Sequence, residues 1–338
     1  MTGRLAAIFG CAGPVLTADE AAFFRDADPF GFILFARSVE NPVQLRQLTA
    51  SLREAVGRDA PILVDQEGGR VQRLRSPHWR EWEPPLDTVA RARDPLRAMW
   101  VRSRIIAHEL RGVGIDANCA PCADVAGEGT HPFLKNRCYG TDSQVVSDVS
   151  RAVAQGHLAG GVLPVIKHLP GHGRATADTH HNLPTVTAPR AELAVTDFAP
   201  FRALNHLPMA MTAHIVFAAY DDKPATQSPE MIRVIRNEIG FQGLLMTDDL
   251  NMQALQGTLA QRTAASMAAG CDMALHCKGD LAEMQAVAGA CGDQTPATRA
   301  RAQAALAQRH PPEPVDILAL EAEFRSLMQG DDAVKANV

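Results

Sequence analysis

The sequence predicts an α/β fold, a (β/α)8 TIM-type barrel with extra helices at its C-terminal end. Two observations predict it. Eight short apolar runs recur along the chain, and the segments between them mostly carry helical patterns. Strands alternating with helices give a parallel sheet, and eight such units in 338 residues fit one closed barrel. An open, doubly wound sheet is the alternative architecture. The first run, however, is not followed by a Gly-rich dinucleotide-binding turn.

Taken in order, the runs are Leu5–Gly10, Gly31–Phe35, Pro61–Val64, Ile115–Ala120, Val162–Lys167, Met209–His214, Leu244–Thr247 and Met273–His276. Asn41-Pro42 reads as a helix cap followed by proline at the first helical position. Leu45, Leu48, Leu52 and Val56 then share one face, and Gly57 ends the run. Leu96 to Leu110 and Val145 to Leu158 behave in the same way. After a polar break from Cys291 to Thr298, Arg299–Gln308 and Ile317–Met328 read as closing helices packed on the barrel. Residues 1–330 are therefore expected to form one barrel domain, and 331–338 a flexible tail.

Composition excludes several classes. At 46% hydrophobic the chain can fill a large core. A formal charge of −5, from 38 acids and 33 bases, offers neither a nucleic-acid stripe nor a polybasic membrane patch. No run is long enough to span a bilayer. Met1–Gly10 is apolar only briefly and reads as a first strand rather than a leader. Seven scattered cysteines, an odd number, fit a reducing compartment better than a disulfide framework. We expect a soluble, cytoplasmic monomer.

The chemistry is expected in Lys167-His168-Leu169-Pro170-Gly171-His172-Gly173 and the nearby Asp178-Thr179-His180-His181. This stretch opens a segment of about twenty residues with no apolar period, and loops that long usually work as a lid or a site. Histidine moves protons near neutral pH. Barrel enzymes place reactive groups where strands end. Asp65 ends the third run, Lys167 and His168 the fifth, His214 the sixth, and Asp248 with Asp249 the seventh. A helix cap is the alternative role for Asp249, and equally for Asp65. Asp178 could reach His180 across a tight turn and fix its tautomer, or the pair could be an Asx-turn beside a solvated histidine.

Three separated segments, in order, resemble the signatures of glycoside hydrolase family 3. They are Val64–Arg73, Lys167–Gly173 with Asp178-Thr179-His180, and Met246–Met252. The chain is most similar to the short bacterial β-N-acetylhexosaminidases of cell-wall recycling. The resemblance runs from about Ile8 to Met273 and implies a barrel. It implies Asp248 as nucleophile, His180 as general acid and then base, and Asp178 as its partner. Asp65, Arg73, Arg137, Lys167 and His168 would hold the sugar. Arg137 lies in Lys135–Gly140, which matches the family's arginine segment only loosely. The implied substrate is a small carbohydrate of the muropeptide type, with no cofactor, metal, nucleic acid or membrane needed. The implied reaction is retaining hydrolysis, since a close carboxylate can form a glycosyl-enzyme while an opposing acid protonates the leaving oxygen.

Rival readings remain open. A metal-dependent barrel hydrolase would usually carry His-x-His after its first strand, where this chain has Phe9-Gly10-Cys11-Ala12-Gly13. A phosphorylase or a β-glucosidase of the same family would share these residues, and so would substrate-assisted catalysis with Asp248 and Asp249 orienting the acetamide. A sugar-binding module on a decayed barrel is disfavoured because every expected catalytic position is occupied. Cys119-Ala120-Pro121-Cys122 has redox or zinc spacing but reads as two thiols replacing apolar residues. Trp79 and Trp82 read as cover for a barrel end, and His172 with Gly171 and Gly173 as shapers of the loop.

Overall fold

A computed structural model of the chain describes residues 2–175 and 183–329. All eight apolar runs form parallel strands. These are Leu5–Gly10, Pro29–Leu34, Ile62–Val64, Ala117–Asn118, Leu163–Leu169, Met209–Thr212, Leu244–Met246 and Ala274–His276. The first seven pair in parallel with their sequence neighbours, and the eighth pairs with the first. A one-residue parallel bridge, Met246 to Met273, closes the seam between the seventh strand and the eighth. Thr247 reinforces it, its N–H donating to Met273 O at 3.0 Å and its Oγ1 accepting from Leu275 N at 2.9 Å. The expected (β/α)8 barrel is the fold found. The fourth strand is shorter than the run Ile115–Ala120 that marks it.

The pleat sorts side chains between two cores. Ala6, Ile8, Leu63, Ala117, Leu163, Val165, Met209, Met211, Leu244, Met246, Met273 and Leu275 fill the barrel interior. Their alternates, such as Ala7, Phe9, Leu34, Val64, Ile166 and Leu245, meet the surrounding helices. Strands covered on both faces are apolar throughout, which is why the runs stand out in the sequence.

The helices start and stop where their caps predict. Pro42–Val56 begins with Asn41 Oδ1 accepting from the N–H groups of Val43 and Gln44 at 3.0 Å. It ends at Gly57 in the left-handed region, φ 62°. Leu45, Leu48 and Leu52 are buried, while Val56 is half-buried. Pro95–Arg111 and Ser143–Ala159 cover neighbouring strands. Ile317–Met328 has the bounds its periodicity predicts and lies on Pro95–Arg111, tied by an Arg97–Glu323 pair at 2.6 Å and by Trp82 edge-on to Phe324 at 5.4 Å. Trp79 and Trp82 are thus buried in the outer core.

At the end where the strands begin, Asp116 acts as a clamp. Its carboxylate accepts from Ile62 N at 2.7 Å, from Arg53 at 3.0 Å and from Arg309, just beyond the helix Pro296–Ala307. At the opposite end the loop from Asp65 to Arg73 folds back on itself. Gln66 Oε1 accepts from the N–H groups of Arg73 and Leu74, and Gln66 N donates to Asn118 Oδ1. Gly68 makes this possible. Its φ is 103°, and a Cβ there would lie 1.8 Å from Arg102 Nη2 and 2.9 Å from Glu83 O.

Gly68→Ala should therefore lower stability by about 1–3 kcal/mol or more, the usual range for a side chain forced into this region, and should displace Asp65 and Arg73. Thermal unfolding together with KM measurements checks this. An unchanged melting temperature would contradict it.

Candidate active site

The inward series of the barrel, extended by one step past its last apolar residue, reaches polar groups at the strand ends. Leu63 leads to Asp65, Val165 to Lys167, and Met246 to Asp248, while Ile33 leads to Phe35 and Leu275 to Cys277. A period of two puts each of these on the same side as the interior core. All five line one cavity with Arg73, Arg137, His168 and His172. The structure thus brings together Asp65, Arg73, Arg137, Lys167, His168 and Asp248, six of the residues singled out from sequence. Asp178 and His180 lie outside the described residues.

A charged lattice builds one wall. Lys167 Nζ donates to Asp65 Oδ1 and to Glu67 Oε1, both at 2.7 Å. Arg137 grips Glu67 with two prongs, Nε to Oε2 at 2.9 Å and Nη2 to Oε1 at 2.8 Å. Arg73 Nη2 donates to Asp65 Oδ2 at 3.0 Å. Burial alone would raise the Glu67 carboxyl, but Arg137 and Lys167 outweigh it and bring it down to about 2. For Asp65 burial is likewise outweighed by Lys167 and Arg73, which hold its carboxyl well below the usual range. Burial acts to discharge Lys167, and the two carboxylates reverse this, so its ammonium is held above its ordinary value. Asp65, Glu67 and Lys167 are therefore ionised at neutral pH.

His168 has a separate support. Its Nδ1 donates to Asp124 Oδ2 at 2.7 Å, and its Nε2 lies 3.5 Å from Arg137 Nη2. Asp124 Oδ1 also accepts from His172 N at 2.7 Å. Against the raising effect of burial, His168 and His172 hold the Asp124 carboxyl below its ordinary value. An ionised carboxylate can only accept, so Asp124 fixes the proton of His168 on Nδ1 and turns Nε2 toward the cavity. Burial, with the neighbouring His168, pushes His172 down to about 4. His172 is thus a buried, neutral ring lining the cavity, closer to the site than a loop-shaping role requires.

Asp248 is only half-buried, unlike Lys167 and Glu67. Its Oδ1 accepts from Asp249 N at 2.8 Å. Burial would raise its carboxyl, but His168, His214, that N–H and Lys167 together lower it. The result is an ionised carboxylate open to the cavity. Asp249 behaves differently. Burial pushes its carboxyl up to about 6, although its Oδ1 accepts from Asn251 N and Cys277 N at 3.2 Å. It caps no helix, for the next one, Leu259–Ala269, starts on Thr258. His214 does not line the cavity. It is buried, with Nδ1 2.8 Å from Thr226 Oγ1 and Nε2 3.1 Å from Asp249 O.

Glu67 and Asp124 received no role from sequence. Glu67 stands inside Val64–Arg73, where only the flanking Asp65 and Arg73 were singled out. Asp124 lies near the end of the stretch Ile115–Val125, and its position after the fourth strand was the available signal.

Residues 16–307 match the model of the glycosyl hydrolase family 3 N-terminal domain. The chain belongs to glycosyl hydrolase family 3. Among curated family 3 relatives, a β-hexosaminidase of Bordetella pertussis is 36% identical over 282 residues, 80% of each chain. One from Xylella fastidiosa is 36% identical over 294 residues, 83% of this chain and 87% of its own. A solved structure of NagZ from Neisseria gonorrhoeae, in complex with N-trifluoroacetyl-D-glucosamine, superposes with a TM-score of 0.83 at 28% identity and covers 96% of both chains. By family this chain is a glycoside hydrolase.

Glu67→Gln should destabilise this family 3 barrel strongly at neutral pH, because Arg137 and Lys167 then face one carboxylate fewer. The folded-state value of Glu67 lies below its ordinary 4.5. Its contribution is therefore complete above pH 4.5 and lost as pH falls toward about 2. Urea midpoints of wild type and variant should differ most above pH 4.5 and converge below it. A gap that widens in acid would contradict the ionised lattice.

Proposed function

We propose that the chain is a retaining exo-β-N-acetylglucosaminidase that releases terminal N-acetylglucosamine from peptidoglycan fragments of the muropeptide type in the cytoplasm. The observation that carries this reading is Asp248. It is an ionised carboxylate held open to a cavity in which Asp65, Arg73, Arg137 and Lys167 are locked in ion pairs. The names of the relatives, β-hexosaminidase and NagZ, support the choice of sugar.

In this mechanism Asp248 attacks the anomeric carbon as the bond from that carbon to the leaving oxygen breaks. The leaving oxygen takes a proton from the His180 imidazolium. The glycosyl-aspartate ester then meets a water molecule. His180 removes a proton from the water, whose oxygen displaces the Asp248 carboxylate, restoring the enzyme and retaining configuration. Asp178 offsets the imidazolium charge, which would otherwise oppose the developing sugar cation. Asp65, Arg73, Arg137, Lys167 and His168 hold the sugar hydroxyls, with charge-assisted hydrogen bonds favoured over neutral ones. Histidine suits the acid role because its ordinary value, about 6.5, lies close to working pH.

Asp248→Ala should abolish turnover of an aryl β-N-acetylglucosaminide, and a 2-position or 5-position fluorinated sugar should leave a mass-detectable adduct on Asp248. His180→Ala should slow substrates with poor leaving groups far more than activated aryl glycosides. Equal losses on both would remove His180 from the acid role. A panel of aryl β-glycosides with and without phosphate tests the remaining alternatives. A sugar phosphate product would make the chain a phosphorylase, and preference for glucosides would make it a β-glucosidase.

A further inference from the structure

Behind the wall of the cavity runs a chain of buried hydrogen bonds that no step of the mechanism uses. The pleat that turns Asp65 toward the cavity turns Val64 and Gln66 outward, to the layer of the helices. In the fourth strand Ala117 faces the barrel interior, so Asn118 faces that same outer layer. The backbone ladder between these strands stops at Val64 and Asn118, and the Asn118 side chain carries it one rung further. Its Oδ1 accepts from Gln66 N at 2.9 Å, and its Nδ2 donates to Gln66 O at 3.0 Å. Those two partners fix which end of the amide is oxygen.

His157 completes the Asn118 amide. It sits on the buried face of Ser143–Ala159 with Val146, Val149 and Val153. Its Nε2 lies 2.8 Å from Asn118 Nδ2, and its Nδ1 lies 2.8 Å from Val153 O, one turn back on the helix. A carbonyl can only accept, so the ring proton sits on Nδ1 and Nε2 offers its lone pair to Asn118. Burial pushes His157 down to about 4, which keeps the ring neutral at pH 7 and that lone pair free for the amide. At the other end, Gln66 Oε1 accepts from Arg73 N at 2.9 Å and Leu74 N at 3.1 Å. The residues on either side of Gln66, Asp65 and Glu67, are the two carboxylates that Lys167 holds at 2.7 Å. The backbone of Gln66 therefore sets the placing of both.

We propose that His157 is a positioning residue for sugar binding: it orients the Asn118 amide, which holds Gln66 and thereby sets Asp65 and Arg73 at the cavity wall. This rests on the sugar-holding role proposed for Asp65 and Arg73.

The Asn118 amide nitrogen carries two protons, and Gln66 O takes one of them. Without His157 the other has no acceptor, and Asn118 is fully buried, so solvent does not replace it. A buried donor stripped of its partner costs more than the bond was worth net. Rotation of the amide relieves that cost and withdraws Oδ1 and Nδ2 from Gln66. Asp65 and Arg73 then shift against Lys167. Asp248 comes from the end of the seventh strand and is held by Asp249 N, outside this chain of contacts. Sugar binding should weaken while the attacking carboxylate stays in place, and a loss felt equally by substrate and transition state raises KM with kcat preserved.

The test joins ring 15N NMR of the full-length protein to kinetics on an aryl β-N-acetylglucosaminide, with N-acetylglucosamine as competitive inhibitor. The His157 ring, identified by its absence from the His157→Leu spectrum, should carry its proton on Nδ1 at neutral pH. A proton on Nε2 would overturn the relay. His157→Leu keeps bulk and loses the acceptor. It should raise KM and the inhibition constant about 5–30-fold, the factor carried by one buried hydrogen bond, and should leave kcat within about twofold. His157→Gln, whose amide oxygen can accept from Asn118, should recover most of that binding. A lower melting temperature in both variants, with KM unmoved well below unfolding, would make His157 merely structural and overturn its positioning role. Combining His157→Leu with Arg73→Ala should weaken binding by less than the two single effects together, because both act on one path. Full additivity would overturn the route through Gln66. Asp65→Asn separates the two levels of inference. If it leaves KM unchanged, the sugar-holding role falls and the positioning role with it. If it raises KM and His157→Leu does not, the positioning role alone falls.

Discussion

Two cations and two anions packed against one another at the mouth of the barrel constrain everything around them. Lys167, Arg137, Glu67 and Asp65 come from loops or strand ends after three successive strands, and no one of them could be buried alone. Taking a single charge out of water costs several kcal/mol even after relaxation. Together they are tolerated because each finds opposite charge within about 3 Å, at a geometry that also uses their hydrogen-bonding directions. The backbone must therefore deliver all four to the same place. The fold of Gln66 over Leu74 and the close approach of Gly68 to Arg102 serve that delivery.

Asp248 gains its character from standing beside this lattice without joining it. A carboxylate paired with Lys167 or Arg137 would have its lone pairs occupied and would attack poorly. Asp248 instead accepts from one backbone N–H and feels the cations at longer range, which keeps it ionised and leaves an oxygen for substrate. Its neighbour Asp249 is directed elsewhere, toward the N–H groups of Asn251 and Cys277. Two adjacent acids in sequence thus have different environments because successive residues leave a strand on opposite sides.

Much of the fold was legible because a doubly covered parallel strand must be apolar on both faces, so its run stands out without an alignment. Asp65, Lys167 and Asp248 were legible for the related reason that a charge at the end of such a run has no place in the core. Their partners were not. Glu67 and Asp124 acquire meaning only from what lies across the barrel, Lys167 and Arg137 in one case and His168 in the other, at sequence separations of 44 to 100 residues. Local pattern carries no record of such pairings. Cys119 and Cys122 read as two thiols replacing apolar residues, and they pack in different places, Cys119 in the barrel interior and Cys122 in a small cluster with Ala126, Leu134 and Cys138. Of the two tryptophans read as cover for an end of the barrel, Trp82 meets the C-terminal helix edge-on at Phe324.

The clamp at Asp116 has a consequence for how this architecture can diversify. It gathers Ile62, Arg53 and Arg309 at the face from which the strands set out. The reactive groups occupy the other face. Integrity and selectivity are thereby assigned to opposite poles of one molecule. Loops at the reactive pole can lengthen, shorten or exchange residues over generations, and the anchoring pole need not register the change.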